Sequence, residues 1–358
     1  MTAAGRAGLL SAGAVARWPL PVLGDSATAA TSLILRSRTL RIGVLSNANS
    51  GHNRRRLARL AALAARYPYV MHRATGHGDE VLGALQDFAA RGIDVLAING
   101  GDGTIARVLG EVLERRPFAA RLPIALLPGG TANMTADRLG VRGGLLRAAR
   151  RLFVWAGGGD GNCRPLVRPL LRVRFADGRD NAYGMFLGAG AVIQGTEYAH
   201  REVHARGLRN NAGLAVAVAR TLWGLHRGDP RFVQPVNLTM TIDGYTTVAG
   251  QPMATLLVSS LERLFLGINP FWGGGDGPLR STVLGPAPRR LLRSLPWLLS
   301  GRASGAMTEA AGYRSRCGEC LELALDGTLN IDGECHEVRR AMGPVVVDVG
   351  GRFEFLRL

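Results

Sequence analysis

Asn99-Gly100-Gly101-Asp102-Gly103-Thr104 decides how this chain is read, because of what stands on either side of it. Ile93 to Ile98 is a short, largely apolar run of the kind a buried parallel strand shows. Ile105 to Arg116 carries Ile105, Val108, Leu109, Val112 and Leu113 at the spacing of one face of an amphipathic helix. Strand, glycine turn and helix start together aim backbone N–H groups and the positive end of a helix dipole at one point, and that point suits a phosphate. Asp102 is out of place there, since its charge repels a bare phosphate. It fits if a divalent cation sits between them, or if the carboxylate takes a proton from an attacking hydroxyl. Both uses point to phosphoryl transfer.

The pattern occurs twice more. Leu40 to Leu45 runs into Ser46-Asn47-Ala48-Asn49-Ser50-Gly51 and a predicted helix from Asn53 to Arg66. Leu122 to Leu127 runs into Pro128-Gly129-Gly130-Thr131-Ala132-Asn133 and a helical stretch ending near Gly140. In an open α/β sheet, loops at the carboxyl ends of parallel strands share one edge, so three such loops can converge on a single nucleotide. The sequence has no GxxxxGK[ST] loop and no GxGxxG after its first strand, which excludes a Walker-type site and argues against an NAD oxidoreductase.

With 358 residues, 47% hydrophobic and 20% charged, the chain has the length for two domains and the composition of a folded protein. No apolar run reaches the roughly 18 residues of a spanning helix, so no transmembrane segment is expected. The formal charge is +17, and every one of the 44 Lys/Arg residues is arginine. A GC-rich genome accounts for arginine over lysine. The excess over acids instead favours anionic partners such as the cytoplasmic lipid face or a nucleotide. No zinc-finger, RRM or basic-zipper pattern is present, so no nucleic acid is expected. Residues 1–38 hold a single acid, Asp25, and little periodicity. They read as a poorly ordered extension, with a leader or a membrane-touching arm as alternatives.

An α/β nucleotide-binding domain is expected over 39–156, and Gly157-Gly158-Gly159-Asp160-Gly161-Asn162 reads as a linker. Over 157–343 strand-like runs dominate: Leu166 to Phe175, Tyr183 to Ala189, Val236 to Ile242, Ala254 to Ser259 and Cys320 to Leu325. Val345 to Val349 is a further run beyond them. Helical stretches intervene at Thr196 to Arg206 and Asn211 to His226. Turn signals at Asp177-Gly178, Asp243-Gly244 and Asp326-Gly327 make this an antiparallel β domain. A hairpin turn at Asp326-Gly327 would put Asn330, Asp332 and Glu334 on one face of the returning strand. Paired carboxylates there can hold a cation and accept a proton.

Asn47 to Gly51, the Gly-Gly-Asp-Gly-Thr of 100–104 and the Pro-Gly-Gly-Thr-Ala-Asn of 128–133 resemble the diacylglycerol kinase catalytic-domain family. That family includes sphingosine kinases, and NAD kinases share its glycine–aspartate signature more remotely. Asp276-Gly277-Pro278-Leu279 and Asn330-Ile331-Asp332-Gly333-Glu334 continue the likeness in the same order.

The resemblance implies an ATP- and Mg²⁺-dependent kinase acting on the hydroxyl of a lipid such as diacylglycerol or a sphingoid base. Its rivals are a kinase of a soluble polyol or nucleotide, and a silent lipid- or nucleotide-binding relative. The expected fold is a three-layer α/β domain followed by an antiparallel β-sandwich, with the last strands, about 344–358, returning to the first domain. Asn47, Gly100, Gly101, Asp102, Gly103, Thr104, Gly130, Thr131 and Asn133 would then hold the nucleotide. Asp332 is favoured as general base, Glu334 as its Mg²⁺-linked partner, and Asp102 beside the phosphates; Asp102 is the rival base. Asp276 is a candidate for a structural Mg²⁺, against a plain glycine-rich surface loop.

The chain departs from the family pattern where Met134 follows Asn133, with Asp137 the nearest acid, and where Gly275 precedes Asp276. Cys317 and Cys320 have zinc-like spacing, but Cys335 and His336 point to opposite faces of a strand, so reduced thiols are expected. Pro286 to Arg302 interleaves Leu291, Leu292, Leu295, Trp297, Leu298 and Leu299 with Arg289, Arg290, Arg293 and Arg302. That fits either an interfacial basic helix or a buried one. The combined expectation is a cytoplasmic protein peripherally bound to an anionic membrane, with homodimer formation left open.

Overall fold

The computed structural model describes residues 38–51, 53–131, 133–159, 163–198 and 211–358. The N-terminal extension up to residue 37, the end of the glycine linker and the predicted helix beyond Tyr198 lie outside the described residues. In chain order the first half contains β1 (Ile42–Asn47), α1 (Asn53–Ala64), β2 (Val70–Thr75), α2 (Glu80–Ala90), β3 (Val95–Gly100), α3 (Asp102–Arg115), β4 (Ile124–Pro128), α4 (Met134–Arg138) and α5 (Leu145–Ala156). There follow β5 (Arg164–Arg174), β6 (Ala182–Gly184), β7 (Phe186–Gly190), α6 (Ala191–Tyr198) and α7 (Asn211–Arg227). The chain then forms β8 (Val236–Ile242), β9 (Tyr245–Met253), β10 (Thr255–Ser259), β11 (Leu279–Leu284), α8 (Leu291–Ser300) and β12 (Tyr313–Gly318). It closes with β13 (Leu321–Ala324), β14 (Gly327–Ile331), β15 (Glu334–Val338) and β16 (Val345–Arg357).

Strands β2-β1-β3-β4 run parallel in that order. The central three are buried along nearly their whole length, which is why each reads as a near-continuous apolar run. Helix α3 turns Ile105, Val108, Leu109 and Val112 into this core. The C-terminal strand β16 then joins the two halves. Its Phe355 and Leu356 pair in parallel with β4, its start pairs with β13, and it lies antiparallel to β5 along most of its length. One sheet of ten strands results. Opposite its β-rich end lies a six-stranded antiparallel sheet, β12-β11-β10-β7-β14-β15. Leu187, Leu256, Leu279 and Leu329 from that sheet close on Leu171, Leu238, Leu321 and Val347 from the first, all with no exposure. Each such buried side chain contributes about 1.5–3 kcal/mol, so this interleaving holds the sandwich shut. The architecture is thus an α/β part with a parallel-rich sheet and an antiparallel β-sandwich.

Several boundaries differ from the sequence reading for physical reasons. β1 and β3 each extend two residues past the last apolar position, into Ser46-Asn47 and Asn99-Gly100. Ser46 and Asn99 are wholly buried there, bonded to each other. The expected strand Tyr183 to Ala189 is two strands in different sheets, broken at Met185. Asp326-Gly327 is a correction. It links β13 in one sheet to β14 in the other and makes no hairpin, whereas Asp332-Gly333 is itself the two-residue turn between paired β14 and β15. The Asp243-Gly244 hairpin between β8 and β9 forms as read.

Candidate functional site

The three glycine-rich loops meet at the carboxyl ends of β1, β3 and β4. Asn47 donates its side-chain amide to the Thr104 hydroxyl (2.8 Å), and Gly101 donates its N–H to the Ser50 hydroxyl (3.3 Å). Gly101 and Gly130 pass backbone against backbone: a Cβ on Gly130 would fall 2.3 Å from the Gly101 Cα, so only glycine permits the crossing. Asn133 closes its own loop, accepting from Gly130 N (2.8 Å) and donating to Gly130 O (2.7 Å). Beneath them runs a buried polar ladder. Asn53 donates to Asn47 O, Asn99 donates to Ser46 Oγ, and Ser46 pairs with His72 Nε2, each at 2.7–2.9 Å. Burial holds the His72 imidazole below its ordinary pKa.

Asp102 is the first residue of α3, and its half-buried carboxylate takes the backbone N–H groups of Met134 (3.1 Å) and Thr135 (2.7 Å). It therefore caps the start of α4 from across the site and ties the second glycine loop to the third. Two helix N-termini point at this one carboxylate, which offsets the cost of its burial.

Asp332 stands opposite. It occupies the β14–β15 turn at φ 45°, with Gly333 at φ 99°, the pair of positive values that a tight hairpin of this kind requires. Its carboxylate accepts from Met185 N (2.8 Å) and Phe186 N (3.1 Å), the two amides at the break between β6 and β7. Burial first, and then the negative charge of Asp102, push this carboxyl up to about 8, against the pull of the two N–H donors. A Cβ at Gly103 would lie 3.5 Å from Asp332 O and 3.7 Å from Glu334 Oε1, so the first turn of α3 packs on the Asp332–Glu334 turn. Glu334 is exposed, with the Arg107 guanidinium 3.9 Å from its carboxylate. Asp102, Asp332 and Glu334 are thus brought together, although Asp332 reaches the site from a turn and not from a strand face.

Among the described residues no group of three His, Cys, Asp or Glu is arranged to hold a metal ion by itself. The donor set still fits Mg²⁺ arriving with a triphosphate, since that ion characteristically takes one or two carboxylates and completes its shell with phosphates and water. Glu334 is exposed and held only by a long contact to Arg107, which leaves its carboxylate lone pairs for this role, and Asp102 keeps lone pairs beyond its two N–H partners.

Asp276 is not part of this assembly. It is exposed on a loop whose glycines press on the backbone of Ser315 to Gly318, beside β11 and β12. Asp137 is exposed and ion-paired with Arg138. Cys317, Cys320 and Cys335 are free thiols, and burial raises the first two. The sequence reading missed Arg107, which helical spacing from Gly103 would have flagged, and the Met185–Phe186 amides. Backbone donors in an apolar run leave no mark on a sequence.

Converging glycine loops at the carboxyl ends of parallel strands, faced by carboxylates from a β-sandwich, form a cleft at the edge where open α/β sheets bind ligands. Residues 41–156 match the model of the diacylglycerol kinase catalytic domain. A crystal structure of a diacylglycerol kinase from Bacillus anthracis strain Sterne is similar in fold, with a TM-score of 0.55 at 16% identity. It covers 88% of this chain and 96% of its own. Two more structures from that organism superpose with TM-scores of 0.58 and 0.57, at 16% and 17% identity and the same coverage. No curated protein matches the chain.

Proposed function

We propose that the protein is an ATP-dependent lipid kinase that moves the γ-phosphoryl group to the hydroxyl of a lipid such as diacylglycerol or a sphingoid base. The observation that carries this reading is geometric: the glycine-rich loops and Asp102 meet the Asp332–Glu334 turn, where the Asp332 carboxyl is fixed by two backbone amides and has a raised proton affinity. A base of that affinity takes a proton from an alcohol more readily than an ordinary carboxylate does. The acceptor hydroxyl would approach between Asp332 and the glycine loops, lose its proton to Asp332 Oδ, and form the new O–P bond as ADP leaves. Phosphoryl transfer asks mainly for positioning and neutralised charge. The Gly103 amide in the first turn of α3 and the hydroxyls of Ser50 and Thr131 would orient the phosphates. Mg²⁺, when bound, would screen the terminal phosphates, and Glu334 with Asp102 would hold it.

Among the described residues no helix is long and apolar enough to cross a membrane. Leu292 and Trp297 on α8 are both over two-fifths exposed beside Arg289, Arg290 and Arg293, which supports contact with an anionic bilayer surface. ADP release measured with Mg²⁺-ATP and mixed micelles of diacylglycerol or sphingosine tests the reading. Turnover that needs both lipid and Mg²⁺ supports it. ATP binding without ADP release on any acceptor overturns it.

A further inference from the structure

A groove of 660 Å³ opens beside Glu334, between one face of α3 and the wall made by β6 and the β14–β15 hairpin. On α3 it is lined by Arg107, Gly110, Glu111 and Glu114, a stripe at helical spacing that leads away from the Asp102 end. At 1.5 Å per residue, Arg107 to Glu114 spans about 10 Å. The facing wall is preorganised. A Cβ on Gly110 would lie 2.7 Å from the Tyr183 ring, so glycine lets that ring lie flat on the helix. The Tyr183 hydroxyl and the Asn181 amide both donate to Glu114, and Arg179 is fixed by Asp177 and stacked 4.3 Å over Phe175.

A bare hydroxymethyl group, all that diacylglycerol offers at its reactive end, would leave nearly all of this groove empty. Acyl chains would desolvate its carboxylates and arginines without replacing their hydrogen bonds. Alternating fixed acceptors and donors beside an aromatic face instead suit a ligand dense in hydroxyls. We propose that this groove binds a polyol head group, of glycerol, inositol or hexose size, with one end beside Glu334. The inference rests on the kinase reading above and narrows its acceptor.

The test compares diacylglycerol, a monoglucosyl diacylglycerol and phosphatidylinositol in mixed micelles, with free glucose and free inositol as soluble arms, using wild type and Glu111→Ala. Glu111 is half-buried on α3 with only a 3.8 Å ion pair to Arg115, so its removal spares the fold. The expected result is a kcat/KM at least tenfold higher for a polyol-headed lipid than for diacylglycerol. Glu111→Ala should raise KM for that lipid about tenfold and leave KM for ATP within twofold. Equal or better turnover of diacylglycerol overturns the inference while sparing the lipid kinase. Turnover of the free sugars alone keeps the groove's assignment and overturns the lipid reading. A raised KM for ATP in Glu111→Ala gives the groove to the nucleotide and overturns the inference.

Discussion

Asp102 and Asp332 are anchored alike and situated differently. Each belongs to an Asp-Gly step, and each carboxylate accepts two consecutive backbone N–H groups from a distant segment, Met134–Thr135 for one and Met185–Phe186 for the other. The donors to Asp102 begin a helix, and Asp102 itself begins another, so its charge lies at the positive ends of two dipoles. The donors to Asp332 lie at a break between strands, whose net dipole is small, and its nearest charged neighbours include Asp102. The same two hydrogen bonds therefore accompany a helix-capping clamp in one place and, in the other, a carboxyl whose proton affinity is raised. What differs is first the deeper burial of Asp332 and then the charge of Asp102 beside it.

That contrast is broken most directly by exchanging the two acids for amides. Asp332→Asn keeps the shape of the turn and removes the base, so kcat should fall on the order of 10³-fold while ATP binding persists. Equilibrium nucleotide binding and single-turnover assays separate the two effects. Asp102→Asn retains one acceptor for the α4 amides and should lose far less, about tenfold. Asp102→Ala uncaps α4, with a cost of about 1–2 kcal/mol in denaturant unfolding and a raised KM for ATP. If Asp102→Asn proves the deader of the two amide variants, the roles assigned here are reversed.

A smaller effect concerns the crossing of the glycine loops. Gly130→Ala puts a methyl group 2.3 Å from the Gly101 Cα, so the loops must part. KM for ATP should rise about tenfold with kcat little changed, because the acids on the sandwich side are untouched. A crystal structure or amide exchange of the variant would show whether the 100–104 and 128–133 loops separate.

How much of this was legible beforehand follows the same division. The loops could be read because a glycine or an amide in a tight turn is a local requirement, written in consecutive residues such as Gly100-Gly101-Asp102. The strands β1 and β3 run two residues past their apolar positions because Ser46 and Asn99 are polar yet buried, which their mutual hydrogen bond and that of Ser46 to His72 make tolerable. The Asp332 turn was misplaced because Asp326-Gly327 and Asp332-Gly333 are the same dipeptide. Which one closes a hairpin depends on β13 and β14 lying in different sheets, and no local pattern states that. The groove beside α3 was not legible at all. It depends on Tyr183 meeting Gly110 across 73 positions of sequence, a contact that exists only once β6 has docked.

A change of pH sharpens the comparison without altering the sequence. Because Asp332 is pushed up to about 8, its free-enzyme form is largely protonated at neutral pH and cannot accept a proton. The kcat/KM for the acceptor, measured at fixed low Mg²⁺-ATP, should therefore climb roughly twentyfold between pH 6.5 and 8.5 and then level. Raising Mg²⁺ places positive charge near the carboxylate, favours its ionised form, and should move the rise to lower pH. The linked stability runs the other way. A carboxyl that binds its proton more tightly when folded adds stability below its unfolded value near 4, and this is lost as pH rises toward 8. Wild type should therefore melt at a lower temperature at pH 8.5 than at pH 6 by more than Asp332→Asn does. A wild-type rate that is flat across this range, with a melting profile no steeper than that of Asp332→Asn, would mean that the two carboxylates are clamps alike.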